Sequence, residues 1–287
     1  MNRMDIGVKI ILESSGMAPR LFKSVLLAAL LVTCVLQPLH AYNPANRAEY
    51  LAKIKEAEAY YKDKCDKVAG IKIYRTVPDV EGLLLLKVRP NRTDRELADP
   101  MWPGAAFGRE AYGDSYITSF LGYESPTQGP IDAQHRGHIG TNRCRGCLPG
   151  YRWIEAIDRQ DGQRYRYTAR YEERWQTDKR YLKGDFWFSL DKSPAPRAMP
   201  RYGVTFEDYV IPEERNLWIA SSTVKVLDPK TNEILGEMTR YAMSYIHLPR
   251  YSMPWLNHSI CPVMGMTGDL HGTRKFVDQI LIPRKEY

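Results

Sequence analysis

Residues 216–248, NLWIASSTVKVLDPKTNEILGEMTRYAMSYIHL, decide the fold that the sequence predicts. The first half alternates apolar and polar side chains, and successive side chains of a β-strand point to opposite faces of the sheet. The run DPKTN, residues 228–232, then interrupts the alternation with residues typical of a turn. Residues 234–246 predict a return strand whose alternation is less regular, because Glu237 and Thr239 interrupt it. A hairpin alone is marginally stable, so further strands must pack on it.

Other short runs extend this hairpin into a sheet. The run GLLLLKV, residues 82–88, is continuously apolar and predicts a strand buried on both faces. Residues 151–172 predict a second hairpin, with Asp161-Gly162 as a two-residue type I′ turn that places Ala156 opposite Tyr167. The remaining predicted strands are 71–74, 115–121, 186–190 and 204–211.

A helix is predicted ahead of the strands. Asn43 followed by Pro44 is typical of a helix start, and Gly70 is typical of a helix end. Between them apolar residues recur every three or four positions and form one apolar stripe. The sequence therefore predicts a single α+β domain over residues 42–287. Its predominantly antiparallel β-sheet should hold about seven to ten strands, with the N-terminal helix packed on it.

The first 41 residues have the organisation of a secretory signal peptide. Arg20 and Lys23 precede an apolar run over residues 24–36, and Ala41 ends a short segment typical of a cleavage site. The apolar run is shorter than the ~20 residues that a membrane-spanning helix needs. We therefore predict cleavage after Ala41, and no membrane span in the mature chain.

Three features of this leader stay open in the sequence. Translation can begin at Met1 or at Met17, since a polar extension separates the two. An uncleaved membrane anchor is the alternative to cleavage. Cys34 in the apolar run adds the alternative of a lipoprotein, although its neighbours do not form a lipobox. The expected location of the protein is the periplasm or the extracellular space.

The charge of the chain argues against a nucleic-acid partner. The whole chain has a formal charge of +7, and residues 1–41 hold four of its 41 basic and two of its 34 acidic residues, so the mature chain keeps about +5. This excess is spread along the sequence, whereas nucleic-acid-binding proteins cluster it. We expect no nucleic-acid partner. A mildly basic exported chain permits an anionic component of the cell envelope as its partner.

The mature chain keeps an even number of cysteines, which favours disulfides in an exported protein. They are Cys65, Cys144, Cys147 and Cys261, and they allow three pairings. Cys65 lies on the apolar stripe of the first helix, and Cys144 and Cys147 are close in sequence. We therefore favour the pairs Cys65–Cys261 and Cys144–Cys147.

A structural zinc module is one alternative for the middle of the chain. His135, His138, Cys144 and Cys147 offer two imidazoles and two thiols, which can satisfy tetrahedral zinc. An oxidising compartment pairs cysteines first, so the disulfide is the favoured interpretation. A c-type haem site is excluded, because Leu148 stands where the haem-ligating histidine would be.

Arginines on one face of the second hairpin are the candidate binding residues. The predicted register places Glu155 between Arg166 and Arg170, with Arg164 on the same face. Guanidinium groups match phosphate, and neighbouring tyrosines add stacking area, so this face predicts binding of an anionic glycan or lipid head group. The alternative is an ordinary solvated sheet face.

No motif in the sequence defines an enzyme. There is no G-x-S-x-G, no H-E-x-x-H, no P-loop and no dinucleotide fingerprint, so we expect no cofactor. The run SLDK, residues 189–192, matches S-x-x-K, but Pro194 and Pro196 exclude the helix that this motif needs. A hydrolase built from loop histidines is the enzymatic alternative. Its candidate residues are His247, His258, His271, Asp269 and Cys261.

Long irregular segments are the remaining functional signal. Residues 91–114, 122–150 and 249–272 contain many glycine, proline and charged residues, and loops of this length are usually binding surfaces or disordered. The pattern resembles exported proteins of Gram-negative bacteria, and no motif assigns a family. The sequence therefore favours a non-catalytic envelope protein that binds a ligand or partner through its long loops. The alternatives are the hydrolase and the structural zinc module.

Overall fold

The computed structural model describes residues 44–127, 136–184, 186–244, 253–264 and 270–285, with the side chains from residue 47 onward. The chain divides into two compact units, residues 1–50 and residues 51–287. Only the beginning of the first helix is described in the first unit, and the predicted signal peptide lies outside the described residues. The rest of this section concerns the second unit.

The described residues form six α-helices, two 3₁₀ helices and thirteen strands. The α-helices are α1 Pro44–Lys67, α2 Asp94–Ala98, α3 Asp114–Leu121, α4 Arg174–Thr177, α5 Pro212–Asn216 and α6 Gly272–Val277. The 3₁₀ helices are Pro103–Phe107 and Pro254–Leu256. The strands are β1 Gly70–Ile73, β2 Val77–Val80, β3 Gly82–Leu85, β4 Tyr123–Glu124, β5 Ile139–Gly140, β6 Trp153–Ile157, β7 Arg164–Glu173, β8 Phe186–Pro194, β9 Gly203–Tyr209, β10 Ile219–Asp228, β11 Glu233–Ser244, β12 His258–Cys261 and β13 Leu281–Pro283.

The main sheet is mixed, so the predicted predominantly antiparallel sheet is wrong. Its order is β1-β11-β10-β9-β3-β6-β7-β8, with β12 added beside β11. The central strand β3 runs parallel to both of its neighbours, so that Leu85 lies opposite Ala156 on one side and Val204 on the other. β13 and β2 form a further parallel pair. The protein is a mixed α+β fold.

Parallel neighbours arise from long crossovers, which local turn signals do not reveal. Between β3 and β6 the chain leaves the sheet, forms α2, a 3₁₀ helix, α3 and the β4–β5 pair, and then returns. The predicted strand over residues 115–121 is wrong, because this stretch is the buried helix α3. A short apolar run does not distinguish a buried strand from a buried helix. Residues 82–88 do contain the predicted strand, and Leu83, Leu84 and Leu85 are all buried.

A β-bulge explains the irregular alternation in the central hairpin. β10 and β11 pair as predicted, but their register shifts between Val226 and Leu227. A bulge adds one residue to one strand and changes which side chains face the core. Leu235 and, beyond the bulge, Met238 therefore both face the core, and so does Arg240. Glu237 and Thr239, which interrupt the predicted alternation, therefore lie on the other face, and the core face contains a buried arginine, Arg240.

The second hairpin forms with a longer loop than predicted. Ala156 lies opposite Tyr165 and not opposite Tyr167. The Asp158 carboxylate accepts a hydrogen bond of 2.8 Å from the Gln160 N–H, which stabilises a wider turn. The register differs from the prediction by an even number of residues, so each side chain keeps its predicted face.

The sheet is covered on both faces. On one face, Leu83, Val224 and Met238 pack in one core with Phe107 and Phe120 from the β3–β6 crossover. On the other face, Ala57 of α1 packs in a smaller cluster with strand residues that include Ile219 and Met243. The crossover is therefore the element that borders the site described next.

Candidate functional site

The crossover holds an arginine between two aromatic rings. Arg89 follows β3, and its Cζ lies 3.9 Å from the ring centroid of Phe107 and 4.1 Å from that of Phe206. Its Nη1 donates long hydrogen bonds of 3.3 and 3.4 Å to the two oxygens of Asp208. The Ser222 hydroxyl donates a 2.6 Å bond to the same carboxylate. The stacking and the carboxylate together hold the guanidinium in one orientation.

The other edge of this guanidinium has unused donors. Nε and Nη2 of Arg89 are buried and have no hydrogen-bond partner among the described residues. These two N–H groups form the edge that binds a carboxylate or phosphate in bidentate fashion. Buried donors in native proteins nearly always have a partner, which is a protein group, a water or a ligand.

Glu110 lies beside this arginine and is almost completely buried. One of its oxygens accepts hydrogen bonds from the backbone N–H and the hydroxyl of Thr273, at 3.1 and 3.2 Å. Burial raises the pKa of Glu110 to about 7, and the positive charges of Arg240 and Arg89 oppose this rise. The carboxyl group therefore titrates near neutral pH inside the protein.

Arg240 completes the buried charge cluster, by which we mean Arg89, Glu110, Asp208 and Arg240. It is fully buried on the core face of β11, and its Cζ lies 4.2 Å from the centroid of Phe107. Burial lowers the pKa of Arg240 to about 10, although the negative charge of Glu110 raises it again in part. Arg240 is therefore charged at neutral pH, and both arginines of the cluster stack on the ring of Phe107.

A pocket of about 270 Å³ borders the buried charge cluster. Residues of the β3–β6 crossover and of β9 line it, and Arg89 and Asp208 are among them. The walls combine aromatic rings with arginines, and the acidic residues among them are Glu96 and Asp208. The lining residues are Arg89, Pro90, Arg92, Glu96, Trp102, Pro103, Gly104, Phe107, Tyr112, Arg159, Phe206 and Asp208.

Arg92 is the second cation of this pocket that the fold holds in place. Its Cζ lies 4.3 Å from the ring centroid of Tyr112, and its Nη1 donates a 2.7 Å hydrogen bond to the Glu110 carbonyl oxygen. Burial lowers the pKa of Arg92. An arginine remains protonated in proteins, so two stacked cations, Arg89 and Arg92, line the pocket.

The arginines predicted from the sequence have carboxylate partners. Arg164 and Arg166 lie 3.1 and 2.7 Å from the two oxygens of Glu155, whose side chain is fully buried. Arg170 lies 2.9 Å from Asp191. These contacts reduce the net positive charge of the hairpin face, and anion binding by these three residues stays a prediction.

Arg170 also lines a larger cavity, of about 890 Å³, beside β7 and β8. Arg143 lines it as well and lies 5.2 Å from the ring centroid of Tyr171. We regard the smaller pocket as the stronger candidate, because Arg89, one of its lining residues, has buried donors without a partner among the described residues, whereas Arg170 is paired with Asp191.

The cysteines of the alternative zinc site are bonded to each other. Cys144 and Cys147 form a disulfide with a Cα–Cα distance of 5.2 Å, and Cys65 and Cys261 form another with a distance of 5.7 Å. These are the two pairs that the sequence favours. His135 lies outside the described residues. Within the described ranges, no group of three or more histidine, cysteine or acidic side chains is arranged to hold a metal ion.

Three histidines lie in the described ranges: His138 is exposed, His258 is buried and His271 is half-buried. Burial lowers the pKa of His258 to about 3, with Arg109 and Arg240 adding to the effect. Burial also lowers the pKa of His271 to about 4, and nearby Lys275 contributes. A general base works best with a pKa near the operating pH, so both imidazoles are weak bases. The other hydrolase candidates, His247 and Asp269, lie outside the described residues.

A second buried ionic network surrounds helix α6. Arg136 donates hydrogen bonds to Glu124 at 2.8 Å and to Asp278 at 3.1 Å. Arg274 donates a 2.6 Å bond to the other oxygen of Asp278. Each carboxylate in this network has a cationic partner, so we interpret it as a structural network that anchors the C-terminal segment.

Sequence analysis did not identify the buried charge cluster. Arg240 interrupts an apolar strand face, which is a usable signal, but the bulge conceals the face to which it belongs. Arg89 follows an apolar run and precedes Pro90, a position typical of a strand end. The charges meet only because the crossover brings Phe107 and Glu110 over the sheet.

Comparison of the chain with models of protein families, with curated proteins and with solved structures found no match. Of the helices in the described ranges, none combines the length and the apolar character that crossing a bilayer requires.

Proposed function

We propose that this protein is an exported, non-catalytic binding protein whose pocket takes a small anionic organic ligand. The observation that carries the proposal is the Arg89 guanidinium, which two aromatic rings and Asp208 hold while its buried Nε and Nη2 have no partner among the described residues. An acidic group on a ligand supplies what this edge lacks. Arg92 and Arg159, which also line the pocket, add positive charge.

The shape of the pocket supports a small ligand with a flat apolar part. Its volume of about 270 Å³ lies just below the range usual for drug-sized ligands. Trp102 and Tyr112 offer ring surfaces, and the residues that line it come mostly from the segment 91–114 that the sequence singles out as a binding loop. Small aromatic carboxylates and phosphate monoesters fit this combination of charge and apolar surface.

Export to the periplasm or the extracellular space is part of the same proposal. The leader in residues 1–41 has the order of a signal peptide, and both disulfides are compatible with an oxidising compartment. We therefore propose that the protein binds its ligand in the cell envelope.

A ligand-binding role is favoured over the hydrolase. The low pKa values of His258 and His271 leave both imidazoles poorly suited to general-base catalysis. A structural zinc module is disfavoured as well, because Cys144 and Cys147 are joined in a disulfide.

Binding is tested with the mature protein and two probes, benzoate and phenyl phosphate, by isothermal titration calorimetry. In Arg89→Lys the charge is kept, but the bidentate edge is lost. Hydrogen bonds to charged groups contribute about 1.5–3 kcal/mol, so we expect the Kd of the bound probe to rise roughly tenfold or more.

Arg95→Lys is the matched control, because Arg95 is exposed on helix α2 and does not line the pocket. We expect this variant to bind the probe as the wild type does. Equal Kd values for the wild type and Arg89→Lys would show that Arg89 does not receive the ligand. If the two probes compete with each other, and Arg89→Lys weakens the binding of both, then both bind at Arg89.

A further inference from the structure

The end of the β7–β8 hairpin exposes apolar and basic side chains together. We call residues 174–184 with Phe186 and Trp187 the hairpin tip. Leu182 is 81% exposed, and Phe186 and Trp187 are each 53% exposed. Tyr181 is also exposed. Exposed apolar side chains that cluster, in contrast to scattered ones, mark interaction sites in soluble proteins.

Cations of the hairpin tip are held against its aromatic rings. The Cζ of Arg174 lies 4.0 Å from the ring centroid of Trp187, and the Nζ of Lys179 lies 3.5 Å from that of Trp175. The Nζ of Lys183 is 5.9 Å from the Trp175 ring. These are cation–π contacts, which keep the charged groups beside the apolar surface.

The charge of this region is positive. Residues 174–187 hold four basic and two acidic residues. Asp178 is paired with Arg180, and within the described part of the chain neither Lys179 nor Lys183 forms an ion pair. The charges of Lys179 and Lys183 help to lower the pKa of the neighbouring Glu173 carboxyl, so the protein compensates them in part. Both lysine side chains are exposed and can meet an anionic surface.

We propose that the hairpin tip docks on the surface of an anionic lipid bilayer. Tryptophan, tyrosine and lysine are the residues that favour the boundary between head groups and acyl chains. Leu182 and Trp187 would enter this boundary, while Lys179 and Lys183 would meet the negative surface.

The position of the tip agrees with this partner. β8 is the last strand at one edge of the main sheet, and the tip continues from the end of that edge hairpin. An end of a hairpin offers a few side chains at one point, which suits shallow insertion. It does not offer the broad surface on which stable protein–protein interfaces rely.

Co-sedimentation with vesicles tests the proposal in the mature protein. One set of vesicles contains equal parts of phosphatidylglycerol and phosphatidylcholine, and the other contains phosphatidylcholine alone. We expect binding to the first set at low salt, much weaker binding to the second, and loss of binding as salt rises. Each removed lysine should lower the partition coefficient about fivefold.

Two tip variants separate the contributions, and matched controls accompany them. Lys179→Ser with Lys183→Ser should abolish the preference for anionic vesicles, and Leu182→Ser with Trp187→Ser should weaken binding about tenfold or more. The controls are Lys55→Ser with Lys230→Ser and Leu51→Ser, which change exposed residues elsewhere.

Several results would overturn the proposal. They are no binding of the wild type to anionic vesicles, equal binding to both vesicle types, and equal losses in tip variants and controls. Brominated lipids give an independent readout, because they should quench tryptophan fluorescence in the wild type and quench it less after Trp187→Phe. Arg89→Lys should bind vesicles as the wild type does, since the tip lies outside the pocket.

Discussion

Arg89 is held in one orientation by the protein itself. Phe107 and Phe206 fix the plane of its guanidinium, and Asp208 accepts from one end of it. Binding to such a group costs less conformational entropy than binding to a mobile side chain, which the ligand would have to order. Lysine cannot reproduce the planar fork, so even the charge-conserving change at this position should weaken binding.

Glu110 makes the stability of the folded protein depend on pH. Burial raises its pKa to about 7, above the value of about 4.3 for a glutamate in an unfolded chain. Between these two values the folded state binds the proton and the unfolded state does not. The free energy of unfolding contributed by this group therefore falls as pH rises through this window.

Glu110→Gln isolates this contribution, because glutamine resembles the protonated acid and does not titrate. We expect the variant and the wild type to have similar stability near pH 4.5. Near pH 7.5 the variant should gain up to about 3 kcal/mol relative to the wild type. Urea denaturation at both pH values measures the difference.

Histidines make this comparison necessary, because their effect has the opposite sign. The pKa values of His258 and His271 are lowered to about 3 and about 4. Each histidine therefore lowers the free energy of unfolding as the pH falls below the ordinary pKa of histidine. Both are present in the wild type and in the variant, so they cancel in the difference. Glu56→Gln on the exposed side of α1 is the control, and a pH-dependent difference as large in that variant would refute the assignment to Glu110.

At the scale of elements, the bulge in the central hairpin decides where charge lies. It directs Met238 and Arg240 of β11 to the core face, and Gly236 lies directly beside it. An added Cβ at Gly236 would lie 2.5 Å from Cδ1 of Ile280 and 2.9 Å from the carbonyl oxygen of Lys72. The flexible isoleucine can shift, but the backbone carbonyl cannot shift without disturbing β1.

Gly236→Ala is therefore expected to destabilise the protein by about 1–3 kcal/mol, the usual cost of overpacking. Thermal unfolding followed by circular dichroism measures the change. Gly140→Ala is the control, because its nearest contact would be an ordinary 3.6 Å from His138. Equal midpoints for the Gly236 variant and the wild type would mean that β1 adapts without cost.

The long disulfide should contribute much more stability than the short one. Cys65 and Cys261 are separated by 196 residues, and Cys144 and Cys147 by three. On the chain-entropy model the first bond stabilises by about 5 kcal/mol and the second by about 1.5 kcal/mol. Urea denaturation of Cys65→Ser with Cys261→Ser, and of Cys144→Ser with Cys147→Ser, compares them. Similar losses in both double variants would contradict the expectation.

At the scale of the whole molecule, the two disulfides accord with an exported protein. We expect the exported form to begin at Tyr42, because the leader ends at Ala41. Intact-mass measurement on protein recovered from the periplasm or the medium tests this. A mass that retains the segment from Met17 to Ala41 would indicate an uncleaved leader. Added lipid mass on a chain beginning at Cys34 would favour the lipoprotein.

Local patterns were sufficient for several elements. The strands of the central hairpin, the buried run after Gly82 and the second hairpin follow from alternation and turn residues close together in the chain. The faces of the second hairpin were also readable, because an even shift of register preserves them, whereas the bulge reverses the faces along β11 in the central hairpin. The favoured cysteine pairs rested on helix periodicity and on closeness in sequence, and the structure contains both.

The sequence by itself determined these local elements, the charge of the chain and the residues available for disulfides, because each depends on near neighbours. Only the tertiary structure decided that β3 has parallel partners on both sides, since that depends on where a long crossover returns. The same crossover carries Phe107 and Glu110 to Arg89 and Arg240. Their pKa values and the pocket come from burial and contact between distant segments, which no local pattern encodes.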